Sequence, residues 1–158
     1  MENLKDIVAY ICSNYPYKDD LSKTKLTKLV YLADWFSALI NEKQLSNIKW
    51  LFNHYGPYVE DVIDIAKSDS DFDVIPTQTI FGTSKENISY KGYSGMTDLS
   101  PETSKILDIV IDKTKDMYFN DFISFVYSTY PVASKERYSY LNLVELANEY
   151  KKLNGGLL

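Results

Sequence analysis

The spacing of apolar residues at the start of the chain predicts two helices. The first ends before Pro16, and its apolar residues are Leu4, Ile7, Val8, Ile11 and Tyr15. The second covers SKTKLTKLVYLADWFSALINEK, residues 22–43. Its main apolar stripe is Leu26, Leu29, Val30, Ala33, Phe36 and Ile40, widened by Leu32, Trp35 and Leu39. Because this helix is apolar around most of its circumference, we expect it to lie at the centre of the domain, packed on several sides.

After the second helix, apolar residues recur at every second position, which predicts a short strand. Ile48, Trp50 and Phe52 alternate with the residues between them. We expect Trp50 and Phe52 to pack inward against the second helix. The strand stops at Gly56-Pro57, where glycine permits a tight turn and proline suits the first turn of a helix. The buried face of that third helix is predicted to be Val59, Val62, Ile63 and Ala66.

Residues 68–98 predict a small antiparallel hairpin, because apolar residues stand on both sides of TSKEN (83–87), with Gly82 close by. These apolar residues are Phe72, Val74, Ile80, Phe81, Ile88 and Tyr90. Three helices are predicted after the hairpin. One begins at Ser100-Pro101, the next carries its apolar side from Phe119 to Tyr130 and stops at Pro131, and the last is capped by Asn142.

Together these elements predict a mainly α (α+β) fold. We expect residues 1–158 to form one compact domain of about six helices with a small antiparallel sheet or hairpin inserted. A chain of this length can bury one substantial core, but is short for two.

Composition and charge narrow the possible partners. The chain has 14 tyrosines, which suits a core that continues into a contact surface. Its formal net charge of −5 disfavours nucleic acid as a partner, because an acidic protein repels phosphate. The N-terminus lacks the pattern of a signal peptide, and no apolar run is long enough for a membrane span. We therefore expect a cytoplasmic protein that does not enter a membrane.

The residues that usually carry catalysis do not form a recognisable set. Cys12 is the only cysteine and lies on the apolar stripe of the first helix, where a thiol is normally inert. His54 is the only histidine, which excludes a two-histidine metal site. We expect no enzyme activity, no cofactor and no metal site. A hydrolase or transferase that uses an unassigned pair of carboxylates is the alternative left open.

A longer pattern resembles a known family. It consists of KLTKLVYLADWFSAL, a following aromatic residue on a short strand, and a Gly-Pro-hydrophobic junction. The positions that carry it are Lys25, Leu26, Lys28, Leu29, Val30, Tyr31, Leu32, Ala33, Trp50, Gly56, Pro57 and Val59. This pattern, within residues 25–66, resembles the Panacea domain, also called the SocA-like antitoxin domain, of bacteria and their phages.

The resemblance implies an antitoxin that neutralises a protein toxin encoded by an adjacent gene, usually by direct contact. It names no toxin, because the family's members pair with many unrelated ones. The alternative it implies is a phage-associated protein or a proteolytic adaptor that binds a host factor such as a Clp protease. No catalytic residue is implied, since the family is one of binding domains.

The corner after the first strand is the predicted contact surface. Asn53, His54, Tyr55 and Tyr58 lie on or beside this corner and are the candidate partner-binding residues. The acidic stretch 60–73 and the lysines between residues 18 and 28 are two further surfaces that could face a partner.

Overall fold

The computed structural model describes residues 1–92 and 98–155. Within these residues the chain forms seven α-helices, one 3-10 helix and five strands, so the predicted mainly helical α+β fold is confirmed. The helices are α1 Leu4–Asn14, α2 Lys23–Asn41, α3 Asp61–Ser68, α4 Pro101–Thr114, α5 Phe119–Ser128, α6 Tyr130–Ser134 and α7 Leu143–Leu153, with the 3-10 turn at Lys18–Asp20. The strands are β1 Trp50–Asn53, β2 Gly56–Pro57, β3 Phe72–Gln78, β4 Ser84–Tyr90 and β5 Tyr140–Leu141.

Helix α2 is the centre of the core, as its wide apolar surface predicts. Thirteen of its nineteen residues are buried, and it packs against α1, α3, α4, α7 and β4. Ser22 caps its N-terminus by accepting a hydrogen bond from the Lys25 backbone N–H at 3.2 Å. The predicted stripe is wrong at one position, because Ile40 lies in the last turn of the helix and is half exposed.

The corner after β1 is a β-hairpin and does not lead directly into a helix. Phe52 pairs with Pro57 and Asn53 pairs with Gly56, so His54 and Tyr55 form the turn. The Tyr58 N–H continues the ladder by donating to the Leu51 carbonyl at 3.1 Å. The prediction that Pro57 opens a helix was therefore wrong, and α3 begins at Asp61.

Gly56 is required by the geometry of this hairpin. Its φ of +101° is a conformation that residues with a side chain rarely adopt. A Cβ at this position would lie at van der Waals distance, 3.4 Å, from Tyr127 Cε2, so the requirement for glycine comes from the backbone conformation of the turn.

Strand β1 also pairs with a short strand near the C-terminus, which the sequence pattern does not predict. Trp50 is opposite Leu141 and Leu51 is opposite Tyr140, giving a three-stranded antiparallel sheet in the order β2-β1-β5. A strand of two residues is too short to show an alternating pattern. The pairing of β5 with β1 places residues 137–141 beside the β1–β2 turn.

The β3–β4 hairpin is confirmed, but its turn lies earlier than TSKEN. The strands pair in register from Phe72 opposite Tyr90 to Gln78 opposite Ser84, so residues 79–83 form the turn. Most of TSKEN belongs to β4. Ile80 and Phe81, predicted with the strands, lie in the turn with 95% and 88% of their surface exposed.

The C-terminal helices follow the predicted caps, with one correction. Ser100 caps α4 with Pro101 in its first turn, and Asn142 caps α7 by accepting from the Glu145 N–H. Pro131 does not stop a helix; it lies buried in the first turn of α6, where its missing N–H costs nothing. No helix in residues 1–92 or 98–155 is both long and apolar enough to cross a membrane.

Candidate functional site

Exposed aromatic residues from two distant parts of the chain meet at the β1–β2 turn. His54 and Tyr55 come from the turn, and Arg137, Tyr138 and Tyr140 come from the segment that leads into β5. The three tyrosines are between 63% and 75% exposed. We refer to these five residues as the hairpin surface.

Short contacts hold the hairpin surface together. His54 Nδ1 lies 3.1 Å from Tyr138 Oη, and the rings of His54 and Tyr55 are 4.5 Å apart, edge to face. Arg137 Nε donates to the His54 carbonyl at 3.0 Å, and the guanidinium lies 5.6 Å above the Phe52 ring. These contacts restrain His54, Tyr55, Arg137 and Tyr138, and such restraint lowers the entropy lost on binding.

The backbone fixes the same surface from below. The Tyr138 N–H donates to the Phe52 carbonyl, and the Phe52 N–H donates to the Ser139 carbonyl at 2.9 Å. Tyr138 itself has a φ of +70°. A left-handed conformation costs free energy for a residue with a side chain, and it persists where surrounding hydrogen bonds hold the backbone in place. The conformation directs the chain back toward β1.

The sequence identified only part of this surface. His54 and Tyr55 were predicted partner-binding residues, and both are exposed here. Asn53 instead shapes the turn, because its Oδ1 accepts from the His54 N–H at 2.9 Å. Tyr138 is 84 positions from His54 along the chain, so no local pattern joins the two.

Tyr58 does not join the hairpin surface. Its side chain is half buried, with Lys28 Nζ lying 5.8 Å from its ring, and its hydroxyl has no hydrogen-bond partner among the described residues. Burial raises the pKa of Tyr58 to about 12, and Glu60, Glu86 and Asp64 add to that rise. Of the two tyrosines predicted to contact a partner, Tyr55 thus lies on the exposed turn and Tyr58 is half buried.

The residues of the family-like pattern lie in or against the core. Lys25, Leu26, Leu29, Tyr31 and Ala33 are buried on α2, together with Trp50, Gly56 and Pro57, while Val59 is partly buried. Tyr31 Oη lies 2.8 Å from Thr129 Oγ1, and its ring meets Trp50 edge to face at 5.5 Å. These contacts tie α2 to β1 and to the start of α6.

Asp34 is a buried carboxylate that the pattern of apolar positions does not reveal. Oδ1 accepts the backbone N–H groups of Leu45 and Ser46, each at 2.9 Å. Oδ2 accepts Ser46 Oγ at 2.5 Å and Trp50 Nε1 at 2.8 Å, with Gln44 Nε2 at 3.3 Å. Burial raises the pKa of Asp34 to about 6 against the opposing effect of these donors, so the group is ionised at neutral pH.

Cys12 and His54, the single cysteine and the single histidine, lie in different surroundings. Cys12 is buried in α1, and burial raises the pKa of its thiol to about 12, which leaves almost no thiolate at neutral pH. His54 is on the exposed turn, in contact with Tyr138 and Tyr55. Among the described residues, no group of three or more histidines, cysteines or acids is placed to hold a metal ion.

Comparison with known proteins gives one informative result. Residues 26–131, about two thirds of the chain, match the family described as antitoxin SocA-like, Panacea domain. Comparisons with curated proteins and with solved structures found no match.

Proposed function

Because the chain belongs to the antitoxin SocA-like, Panacea domain family, we propose that it is an antitoxin that neutralises a protein toxin by binding to it directly. The observation that carries this proposal is the hairpin surface. Tyrosine and arginine are the residue types that most often dominate binding energy at protein interfaces. Here they are exposed and held in place by the sheet.

The proposed mechanism is occlusion by a rigid surface. The hairpin surface would cover the toxin's active or target-binding region without a chemical step, so we infer that the protein is not an enzyme. The inert state of Cys12 and the tyrosine contacts of His54 support this inference. We propose that the toxin is the product of an adjacent gene.

A survival assay tests the proposed function. The adjacent gene is expressed in a bacterial host with and without this protein, and survivors are counted. Direct neutralisation predicts that toxicity is relieved and that the two proteins co-purify. Relief without a stable complex would favour the alternative, an adaptor that delivers the toxin to a protease such as Clp. A neighbouring product that harms no host would remove the support for the antitoxin role.

The hairpin surface makes a sharper prediction. Tyr55→Ala combined with Tyr138→Ala should weaken toxin binding roughly 100-fold, because each truncation removes an exposed anchor. The free energy of unfolding should change by less than about 1 kcal/mol, since exposed residues contribute little to folding. Affinity is measured by isothermal titration and stability by urea denaturation.

Tyr17→Ala is the matched control, because Tyr17 is a half-exposed tyrosine that contacts Asp116 and not the hairpin surface. It should leave affinity unchanged. Equal affinity of the double variant and the wild type would show that the toxin binds elsewhere.

A further inference from the structure

A second exposed apolar region lies between the β3–β4 turn and the connection from α4 to α5. Ile80 and Phe81 form one wall, and Met117, Tyr118 and Phe119 form the other. The groove between them has a volume of about 840 Å³. Phe119 was predicted to lie on the buried side of its helix, but it is half exposed here. We refer to this region as the apolar groove; it shares no residue with the hairpin surface.

Lys25 is one of the residues that line the apolar groove, and its side chain is almost fully buried. The residue is only 3% exposed, and it lines the groove from the first turns of α2. Its Nζ lies 5.1 Å from the centre of the Tyr15 ring and 5.3 Å from that of Phe122. Among the described residues it has no carboxylate partner and no hydrogen-bond acceptor. A largely buried lysine without such a partner has lost much of its hydration, and an incoming anion would compensate for that loss.

The acidic residues that line the groove form no ion pair with Lys25, so its ammonium can pair with a carboxylate of a partner. Glu86 is engaged by Lys23 at 3.3 Å and by Lys67 at 3.7 Å. Asp20 also lines the groove and forms no ion pair with Lys25, and the lining residue Lys85 adds a second positive charge. Helix α2 begins here, so the partial positive charge of its N-terminus adds to that of the lysine.

We propose that the apolar groove binds an extended segment of a protein partner in which an aspartate or glutamate is flanked by apolar side chains. The carboxylate pairs with Lys25, and the apolar side chains cover Ile80, Phe81 and Tyr118. A small inorganic anion would meet the lysine but would leave both walls exposed to water, so the walls favour a peptide. This site is additional to the hairpin surface and does not depend on the antitoxin role.

Selection from a random peptide library tests the proposal without knowledge of the partner. Twelve-residue peptides displayed on phage are selected on the immobilised wild-type protein, with counter-selection on Phe81→Asp. We expect enriched sequences to place an acidic residue between apolar ones. The most enriched peptide, made synthetically, should bind roughly 10- to 100-fold more weakly to Lys25→Met, the range expected for losing a charged hydrogen bond.

A double-mutant cycle separates this pairing from a general effect of charge. Replacing the peptide's acid by its amide should cost as much as Lys25→Met, and the two changes together should cost no more than either alone. Lys105→Met, which removes an exposed lysine of α4, should leave peptide affinity unchanged.

Two outcomes would overturn the proposal. Enrichment of purely apolar peptides, whose binding is insensitive to Lys25→Met, would contradict the carboxylate pairing. Failure to enrich any sequence over the Phe81→Asp counter-selection would contradict the binding groove itself. Neither result bears on neutralisation of a toxin, which is measured separately by survival.

Discussion

Replacing Asp34 with alanine should lower the free energy of unfolding by roughly 3–5 kcal/mol, because each buried donor that loses its acceptor costs about 1–3 kcal/mol and removal of the buried charge offsets only part of that cost. The carboxylate accepts two backbone N–H groups, the Ser46 hydroxyl, the Trp50 indole and the Gln44 amide. The two backbone N–H groups, the Ser46 hydroxyl and the Trp50 indole would be left buried without this acceptor, whereas Gln44 keeps the Ser46 and Ile48 carbonyls. Because small domains are typically stable by about 5–15 kcal/mol, the variant should be at the edge of folding.

The effect is measured by urea denaturation followed through tryptophan fluorescence. Asp34→Asn is the informative second variant, since it keeps the volume but replaces one of the two acceptor oxygens with an N–H₂ group that faces hydrogen-bond donors. It should lie between wild type and alanine. Asp112→Ala, an exposed aspartate on α4, is the matched control and should change stability by less than about 0.5 kcal/mol. If the urea concentration at the unfolding midpoint is the same for Asp34→Ala and the wild type, the hydrogen bonds of Asp34 do not stabilise the fold.

The burial of Asp34 and its hydrogen-bond partners were not predicted from the sequence. It is the one acidic residue in α2, between Lys23 and Asn41, and it follows an unbroken run of apolar residues. That isolation was a signal of a buried, bonded carboxylate. Its partners, however, are ten to sixteen positions away in a loop and a strand, where no periodicity points to them.

The elements that the sequence predicted well are those determined by local forces. Helical spacing located α1, α2 and α4, and the predicted caps Ser100 and Asn142 each accept a backbone N–H. The resemblance to the Panacea domain, read from residues 25–66, is confirmed by the family match over residues 26–131.

The elements that it missed depend on pairing between distant segments. Pro57 has a φ suited to a helix, but the ladder between β1 and β2 decides its conformation. Strand β5 forms by pairing with the edge of β1. This pairing brings Tyr138 and Tyr140 beside His54. Both tyrosines lie beyond the residues that match the family. The candidate surface is therefore assembled from a family segment and a segment outside it.

Lys28 is a second buried lysine, and it differs from Lys25 in having a polar neighbour. It is 1% exposed, and its Nζ lies 3.4 Å from the Pro57 carbonyl oxygen, beneath the β1–β2 hairpin. No carboxylate pairs with it among the described residues. Burial lowers its pKa from the usual 10.5 to about 8, so at neutral pH the folded protein holds a charge that costs stability.

Lys28→Met should therefore stabilise the domain at pH 7, by about 2 kcal/mol, because it fills the same space without a charge. The advantage should shrink as the pH rises. Above about pH 8 the folded wild type loses the Lys28 proton while the unfolded chain keeps it until about 10.5. Wild-type stability thus rises through this window, by up to 1.4 kcal/mol per pH unit.

The measurement is the difference in unfolding free energy between the two proteins at pH 7, 8 and 9. Taking the difference removes the contributions of Lys18 and Cys12, whose pKa values burial also shifts and which both proteins share. We expect the difference to fall by about 1 kcal/mol between pH 7 and 9. Lys113→Met, an exposed substitution on α4, should give a difference that does not vary with pH. Parallel pH profiles for wild type and Lys28→Met would mean that Lys28 keeps an ordinary pKa, and that water reaches it beneath the hairpin.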